Sequence, residues 1–419
     1  MNTVGIFNKY SLTAAAAALA FSTAPAIAAD FGGDCCADLE ERVATLEATT
    51  ARKGNRKVSL VISGQVNQAL MIWDDGEDTD AYVINNGNSS TRIRFKGGAK
   101  INHDWSAGYY LEVEVRSTMS FRLTQNDDDG TNPGGIDIRQ SNMWIASKTF
   151  GKLTIGQQSP ATDDLAFYGS VAGIAGHYQP DWHYGQNMFL ANSAGGLSGV
   201  QLSELSGSVN GFLFFDGTIR QNVVRYDTPT IAGFVLSASW GEDDFYDVAL
   251  RYAGAWGDFT VKGAIGYSVF ENPDASKNAV NANKAGAVAA GDEESLSASA
   301  GIMHTPTGLF AHFAWRSYEY DMNQVDSQGY QVQAGIKNRW NSLGATAIYG
   351  AYTNVEDGHV RNDNGITSSE IDRWSVGATQ WIDAAAMELY VVYDHTEAEA
   401  VGFAFEDFDT VTIGGRIKF

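Results

Sequence analysis

Cysteine, proline and positive charge are all scarce in this sequence. Its 419 residues include 2 cysteines and 7 prolines, too few for a disulfide-stapled scaffold or for proline-rich linkers. Lys and Arg number 28 against 50 Asp and Glu, a formal net charge of −22 at pH 7. Because a nucleic acid needs an excess of cations to neutralise its phosphates, we expect no nucleic acid partner. Hydrophobic residues make up 44% of the chain, enough for a large folded structure.

Residues 1–28 have the composition of a secretory signal peptide. They contain one cation, Lys9, an alanine-rich apolar stretch over residues 12–21, and a small-x-small sequence at 26–28 (AIA). A transmembrane anchor is the alternative, but spanning a bilayer takes about 20 continuous apolar residues, and Ser22 ends this stretch. We therefore expect cleavage and export, which leaves a chain of net charge −23 because Lys9 is the one charged residue removed.

Residues 29–57 form a separate N-terminal segment. Leu39, Val43 and Leu46 recur at helical spacing with charged residues between them, which predicts a short periplasmic helix. Two interpretations stay open: the segment plugs, trimerises or tethers the molecule, or it is a frayed leader. The two cysteines are adjacent here and could be reactive, bridged between subunits or idle.

The remaining residues, 58–419, show the period of β-strands. Residues 92–101 (RIRFKGGAKI) place Ile and Phe on one face and Arg and Lys on the other, and 111–116 (LEVEVR) and 387–394 (MELYVVYD) alternate in the same way. Each strand thus has one apolar and one polar face. This pattern fits either a soluble sandwich or a membrane barrel.

The connections between strands decide between these architectures. Sixteen candidate strands can be counted in residues 58–419, and short turn-like connections alternate with connections that are mostly long, acidic or rich in Gly and Asn. An up-and-down barrel with both termini in the periplasm requires this alternation, whereas a sandwich does not. We therefore predict an all-β fold, a 16-stranded antiparallel transmembrane β-barrel.

Two features of the strand ends agree with a membrane barrel. Aromatic residues lie near the predicted strand ends, as in the girdles at a lipid interface: Trp73, Tyr109, Trp240, Trp315, Trp340, Trp381 and Tyr393. The last strand alternates cleanly and ends on Phe419. An aromatic carboxy terminus on such a strand resembles the signal read by the outer-membrane assembly machinery of Gram-negative bacteria.

The order and spacing of several segments resemble the general porins, in particular the alphaproteobacterial porin family. The matching segments are 35–43 (CCADLEERV), 58–60 (VSL), 63–67 (SGQVN), 91–97 (TRIRFKG), 151–157 (GKLTIGQ), 222–229 (NVVRYDTP) and 412–419 (TIGGRIKF). The resemblance implies a homotrimer of barrels in the outer membrane, each a water-filled channel for passive diffusion of small hydrophilic solutes and ions. It also implies a third long loop that folds inward and narrows the pore. Residues 159–218 lack clean alternation, and this segment is too long for a connection without a structural or functional role.

Charges that face each other across the constriction set the selectivity of such a channel. The alternation directs one group of cations to the lumen, and we predict that they form a basic wall: Arg92, Arg94, Lys96, Arg116 and Arg225. Arg139 joins them because it lies where general porins carry another wall arginine. Asp163 and Asp164 lie early in the inward loop and are the candidate opposing acids, although an ordinary solvated turn is the alternative. The net charge predicts weak cation selectivity.

Other functions are weighed against diffusion. A solute-specific channel would have an aromatic slide, for which Tyr168, Tyr178, Trp182 and Tyr184 are candidates, and a non-conducting adhesin or anchor barrel would use the acidic loops. Catalysis is disfavoured because the one suggestive couple, Asp394-His395, ends a strand facing a loop and no nucleophile elbow, zinc-helix motif or phosphate loop occurs. We expect no enzyme activity, cofactor or metal. Outer-membrane lipid, lipopolysaccharide and the assembly machinery are the expected partners.

Overall fold

The computed structural model describes residues 57–129, 135–207, 214–216, 220–241, 244–271, 293–320, 326–359 and 366–419. The expected signal peptide, 1–28, lies outside the described residues. So does the expected periplasmic helix within 29–57, together with its two cysteines.

Strands account for most of the described chain. In sequence order they are β1 Val61–Asp74, β2 Thr79–Asn85, β3 Arg92–Lys100, β4 Trp105–Arg116, β5 Gly135–Ser147, β6 Gly151–Gln158, β7 Phe189–Ala191, β8 Leu197–Gln201, β9 Gln221–Asp227, β10 Phe234–Gly241, β11 Phe245–Trp256, β12 Phe259–Phe270, β13 Glu293–His304, β14 Leu309–Tyr320, β15 Ser327–Asn338, β16 Thr346–Glu356, β17 Ser369–Ile382, β18 Met387–Ala400 and β19 Phe408–Lys418. The described residues include two one-turn α-helices, α1 Leu165–Tyr168 and α2 Leu202–Leu205. Among the described residues, no helix is long and apolar enough to cross a membrane.

The main sheet closes on itself as a barrel. Each strand pairs antiparallel with the next, β6 pairs with β9 across a long loop, and β19 returns to pair with β1. The strands β2 and β3 pair with successive parts of β1 and therefore form one broken strand. Counted in this way, the barrel has 16 strands, which confirms the fold predicted from the sequence.

The break between β2 and β3 was not predicted. Residues 86–91 leave the sheet there, through a 3₁₀ turn at Gly87–Ser89. Side chains of β1 receive the freed main chain: the Gln65 side-chain amide donates to the Ser89 carbonyl oxygen (2.8 Å), and that of Asn67 donates to the same oxygen (2.9 Å). Alternating hydrophobicity carries no signal for a bend that two amide side chains stabilise.

The barrel is inside out compared with a soluble protein. In β19, Ile413 and Ile417 are 50% and 42% exposed, whereas Thr412 and Arg416 on the opposite face are fully buried. The same division holds in β10, where Leu236 faces outward and Ser237 faces the lumen. An apolar outer face and a polar interior are typical of a barrel that sits in lipid.

The aromatic residues at the strand ends are divided by the same alternation. Trp240, Trp340 and Tyr393 lie exposed on the outer face, as expected for girdle residues. The prediction for Trp73 is wrong, because this side chain is buried inside the barrel and its ring packs against Tyr82 at a centroid distance of 5.8 Å. Trp73 belongs to an apolar cluster formed by side chains of the barrel strands and of the third loop, so an inward tryptophan finds a suitable environment there.

The seam of the barrel depends on one close approach. The main-chain N–H of Gly64 donates to the Phe419 carbonyl oxygen (2.7 Å), and that of Phe419 donates back to Gly64 (3.1 Å). A Cβ on Gly64 would lie 2.5 Å from the Phe419 ring and 2.6 Å from the Arg92 carbonyl oxygen. The terminal aromatic ring therefore lies directly over a glycine of the first strand.

We predict that Gly64→Ala destabilises the barrel by about 1–3 kcal/mol, because the added methyl group overpacks the seam. The control is Gly350→Ala in β16, where the nearest heavy atom to a new Cβ is 3.7 Å away, so its effect stays below about 1 kcal/mol. The measurement is the denaturant midpoint of both variants in detergent. Equal midpoints would show that Phe419 does not restrict this position.

Candidate functional site

The third loop connects β6 to β9, and the part of it at 159–191 lies largely inside the barrel. Most of its described residues up to Ala191 are buried, and Ile174, Trp182 and Met188 belong to an apolar cluster that includes side chains of the barrel strands. The prediction that this loop folds inward is confirmed. Because the loop backbone is mostly irregular, its carbonyl groups need hydrogen-bond donors at this depth.

Basic side chains of the barrel wall supply the first of these donors. Arg225 of β9 donates to the carbonyl oxygens of Ser159 (3.0 Å) and Pro160 (2.9 Å). Lys337 of β15 donates to the carbonyl oxygen of Ala172 (2.7 Å). These contacts hold the beginning of the loop against the wall.

Arg373 of β17 binds the middle of the loop. Its guanidinium group donates to the carbonyl oxygens of Gln179 (2.9 Å), Pro180 (2.6 Å) and Asp181 (2.8 Å). It also lies 4.6 Å from the centre of the Trp182 ring, within cation–π distance. One side chain thus binds three consecutive residues of the loop.

Further wall residues complete the attachment. Their contacts with the loop are Arg251 to Ala161 and Asp163, Asp247 to Thr162, Ser299 to Leu165, His312 to Ala166, Arg316 to Phe215, Thr379 to His177, Thr396 to Trp182 and Asn67 to Gly176. They belong to strands β11 to β18 and to β1. The loop also reaches the break between β2 and β3, where the Asn86 side-chain amide donates to the Tyr184 hydroxyl (2.9 Å) and the Gln179 side-chain amide donates to the Asn88 carbonyl oxygen (3.0 Å). Most of its wall contacts therefore come from β9 to β18 and from β1, across the lumen from β3, β4 and β5.

The opposite wall carries the arginines that the sequence predicted. Glu112 of β4 binds three of them, at 2.6 Å from Arg94, 2.8 Å from Arg139 and 3.4 Å from Arg92. The side chain of Glu112 is 2% exposed. The predicted basic wall residues Arg92, Arg94 and Arg139 thus lie together, but around a buried carboxylate.

A second glutamate extends this group. Glu114 lies 2.9 Å from Arg139 and 3.2 Å from Arg116, and it also accepts a hydrogen bond from Ser90. Arg116 forms a further ion pair with Asp137. We call the four arginines and these three carboxylates the arginine cluster. It keeps one positive charge, because four guanidinium groups meet three carboxylates.

The remaining predicted cations lie elsewhere. Lys96 is exposed, two positions after Arg94 on the lumen face of β3. Arg225 is buried, pairs with Asp227 (2.8 Å) and holds the beginning of the third loop. The structure therefore brings together four of the six predicted basic residues and uses Arg225 as an anchor of the loop.

The predicted acids Asp163 and Asp164 lie together with a third acid that the sequence analysis missed. Carboxylate oxygens of Asp163, Asp164 and Asp216 lie within 4.8 Å of one another, and we call these residues the carboxylate triad. Burial and the neighbouring Asp164 raise the pKa of Asp163, and burial and Asp163 raise the pKa of Asp216 well above its usual range. The sequence contains no signal for Asp216, because it lies more than fifty residues further along the chain.

Asp181 positions the end of the loop that carries Asp216. Its carboxylate accepts hydrogen bonds from the main-chain N–H groups of Phe215 (2.8 Å) and Asp216 (3.1 Å). Burial raises the pKa of Asp181 to about 7. The middle of the loop thus holds its end beside its beginning.

Arg220 lies near enough to carboxylates of both charged groups for them to affect its pKa. Burial lowers its pKa, but Asp163 and Asp216 outweigh burial and raise it above the usual value, and Glu112 of the arginine cluster acts in the same direction. The carboxylate triad and the arginine cluster are thus close enough to interact electrostatically. This arrangement can impose a field across the lumen.

Two alternative functions find less support in the geometry. The candidate slide residues Tyr168, Tyr178, Trp182 and Tyr184 are all buried in the packing of the loop rather than exposed along a path. Asp394 faces the lumen while His395 faces outward, because adjacent residues of a strand point to opposite faces. These two side chains therefore do not form a catalytic couple.

Comparison with known proteins agrees with this architecture. A family model described as Gram-negative porin matches residues 14–402. Among curated proteins, no sequence matches this chain significantly.

Several solved structures share the fold. An anion-selective porin from Comamonas acidovorans is 15% identical with a TM-score of 0.55, and the match covers 86% of this chain and 100% of that one. A trimer form of OmpT from Vibrio cholerae is 16% identical with a TM-score of 0.53, covering 86% and 99%. OmpF from Salmonella typhi, in complex with daunomycin, is 14% identical with a TM-score of 0.52, covering 87% and 99%.

We predict that Arg373→Met loosens the third loop. The substitution leaves three loop carbonyl groups without their donor, and each unsatisfied buried group costs about 1–3 kcal/mol. We expect a lower Tm in detergent and noisier single-channel currents. The control is Arg339→Met, because Arg339 is 66% exposed and pairs with Asp383 at the surface, where an ion pair contributes about 0–1 kcal/mol. Indistinguishable Tm and current noise in the two variants would contradict the anchoring role.

Proposed function

Since this chain belongs to the Gram-negative porin family and is an outer-membrane diffusion channel, we propose that small hydrophilic solutes and ions cross it between the arginine cluster and the carboxylate triad. The observation that carries this proposal is the distribution of buried anchors and charged groups around the barrel. The side chains of the barrel strands that bind the third loop come from β9 to β18 and from β1, whereas the arginine cluster lies on β3, β4 and β5. The path therefore runs along β3, β4 and β5.

The ion selectivity of this path follows from charges on both sides. Glu112 and Glu114 neutralise much of the arginine cluster, and the triad adds negative charge opposite to it. Together with the net charge of −22, this favours weak cation selectivity. The Comamonas porin is described as anion-selective, so we propose that the two barrels differ in this property.

Assembly and targeting complete the proposal. We place the chain in the alphaproteobacterial subgroup and propose a homotrimer, as in the trimer form of the Vibrio protein. Residues 1–28 act as a signal peptide and 29–57 as a periplasmic segment. Phe419 serves as the assembly signal, lipid and lipopolysaccharide surround the barrel, and the protein has no enzyme activity.

A planar bilayer experiment tests the pore and its acidic side. We expect stepwise ohmic conductance from the purified protein, in groups of three, and a reversal potential in a salt gradient that indicates cation preference. In Asp163→Asn/Asp164→Asn, we expect the ratio of cation to anion permeability to fall by a factor of about two, which corresponds to about 0.4 kcal/mol and lies in the range for a partly exposed charge such as that of Asp164. A chelator in all solutions keeps divalent cations away from these acids.

The matched control is Asp128→Asn/Asp129→Asn, which removes two charges from an exposed loop. We expect its permeability ratio to stay close to that of the wild type. Silence from correctly folded protein would reject the channel and favour an anchor or adhesin barrel. An equal shift in both double variants would show that overall charge, and not the carboxylate triad, sets selectivity.

We also predict that Glu112→Gln shifts the reversal potential towards anions. The substitution removes the shared carboxylate of Arg92, Arg94 and Arg139, so the cluster gains one net positive charge. Stability falls by about 3–5 kcal/mol because buried charges lose their partner. Asp137→Asn is the control, since that carboxylate is 46% exposed and its loss causes a smaller shift. A shift towards cations in Glu112→Gln would contradict the assignment.

A further inference from the structure

The carboxylate triad has the dimensions of a divalent cation site. Carboxylate oxygens of Asp163, Asp164 and Asp216 lie within 4.8 Å of one another. Calcium binds oxygen ligands at about 2.3–2.6 Å, so two ligands on opposite sides of the ion lie about 5 Å apart. Magnesium binds at about 2.0–2.1 Å, and opposite ligands then lie about 4 Å apart. A separation of at most 4.8 Å admits either ion. Magnesium, however, demands near-ideal octahedral geometry and is seldom held by a dedicated all-protein site, so a group of protein oxygens favours calcium.

A separate observation points to a missing ligand. Ser159 is 5% exposed, and its hydroxyl lies near enough to the Asp163 carboxylate to lower the pKa of that group. Nevertheless, the Ser159 hydroxyl has no hydrogen-bond partner of regular geometry within the part of the chain that the structure describes. The same is true of both carboxylate oxygens of Asp163, which is 3% exposed. Buried polar atoms are almost always paired, so these oxygens require a partner.

The charge of the site is consistent with that partner. With all three carboxylates ionised, the triad and the Arg220 guanidinium group carry two net negative charges, and the mutual repulsion of these carboxylates is one cause of the raised pKa values of Asp163 and Asp216. Arg220 is close enough to act on Asp163 and Asp216, but no ion pair within 4.0 Å joins it to them among the described residues. A divalent cation would balance this charge, and every available ligand atom is an oxygen, as hard cations prefer.

We propose that Ser159, Asp163, Asp164 and Asp216 bind one calcium ion that fastens the beginning of the third loop to its end. No metal was expected from the sequence. Asp216 lies more than fifty residues after Asp163 and Asp164 in the chain, so no sequence motif connects these ligands. Calcium binding can be measured without conduction, and the proposal goes beyond the proposed function. A bound ion also removes two negative charges from one side of the path, so calcium lowers cation selectivity.

Calorimetric titration tests the site directly. The full chain is refolded in detergent without lipopolysaccharide, so that lipid phosphates do not bind the ion, and is titrated with CaCl₂ and then with MgCl₂. We expect one calcium per chain and weaker magnesium binding. In Asp216→Asn the calcium Kd rises by about tenfold or more, whereas Asp128→Asn in the exposed loop keeps the wild-type Kd.

A second variant protects the test against misfolding. Asp164 has a left-handed backbone (φ 62°), which asparagine also adopts readily, so Asp164→Asn folds normally and also weakens calcium binding. Absence of calcium binding in the wild type would overturn the proposal, and so would an unchanged Kd in both variants.

Bilayer recordings separate this proposal from the channel function. Millimolar CaCl₂ shifts the wild-type reversal potential towards anions more than it shifts that of Asp216→Asn, while Asp128→Asn behaves like the wild type. A conducting wild type without calorimetric binding rejects the site and keeps the channel. A silent protein with one calcium site that Asp216→Asn abolishes rejects the channel and keeps the site.

Discussion

The structure depends on one constraint, which is that an irregular main chain inside a membrane barrel must find donors for its carbonyl groups. Arg225, Lys337 and Arg373 supply them at 2.6–3.0 Å along the first part of the third loop. These cations come from three strands, so the loop is held along its length rather than at one point. Because the donors belong to β9, β15 and β17, these three anchors lie away from the arginine cluster on β3, β4 and β5.

This use of cations changes the electrostatics of the pore. A basic residue that points into the lumen does not necessarily contribute free positive charge, since Arg225 pairs with Asp227 and binds the loop. Arg94 and Arg139 share the carboxylate of Glu112. The net charge along the pore is therefore small, because the positive and negative side chains nearly cancel each other. Such a balance is sensitive to single substitutions and, in our proposal, to a bound cation.

The candidate site could be predicted from the sequence only in part. Alternation placed Arg92, Arg94 and Arg116 on the lumen face correctly, and it placed Glu112 on the same face of β4. Alternation does not give the register between strands, however, so the pairing of these charges could not be foreseen. Asp216 was missed for a related reason, because only the folding of the loop back on itself brings this residue to Asp163.

The sequence by itself determined the architecture, because a period of two residues and alternating connection lengths are local properties that lipid and the barrel interior enforce at every strand. Even the terminal Phe419 and its outward face followed from that pattern. Only the tertiary structure decided the break between β2 and β3, the inward position of Trp73 and the contents of the lumen. These features arise from contacts between residues far apart in the chain, and such contacts leave no periodic trace in the sequence.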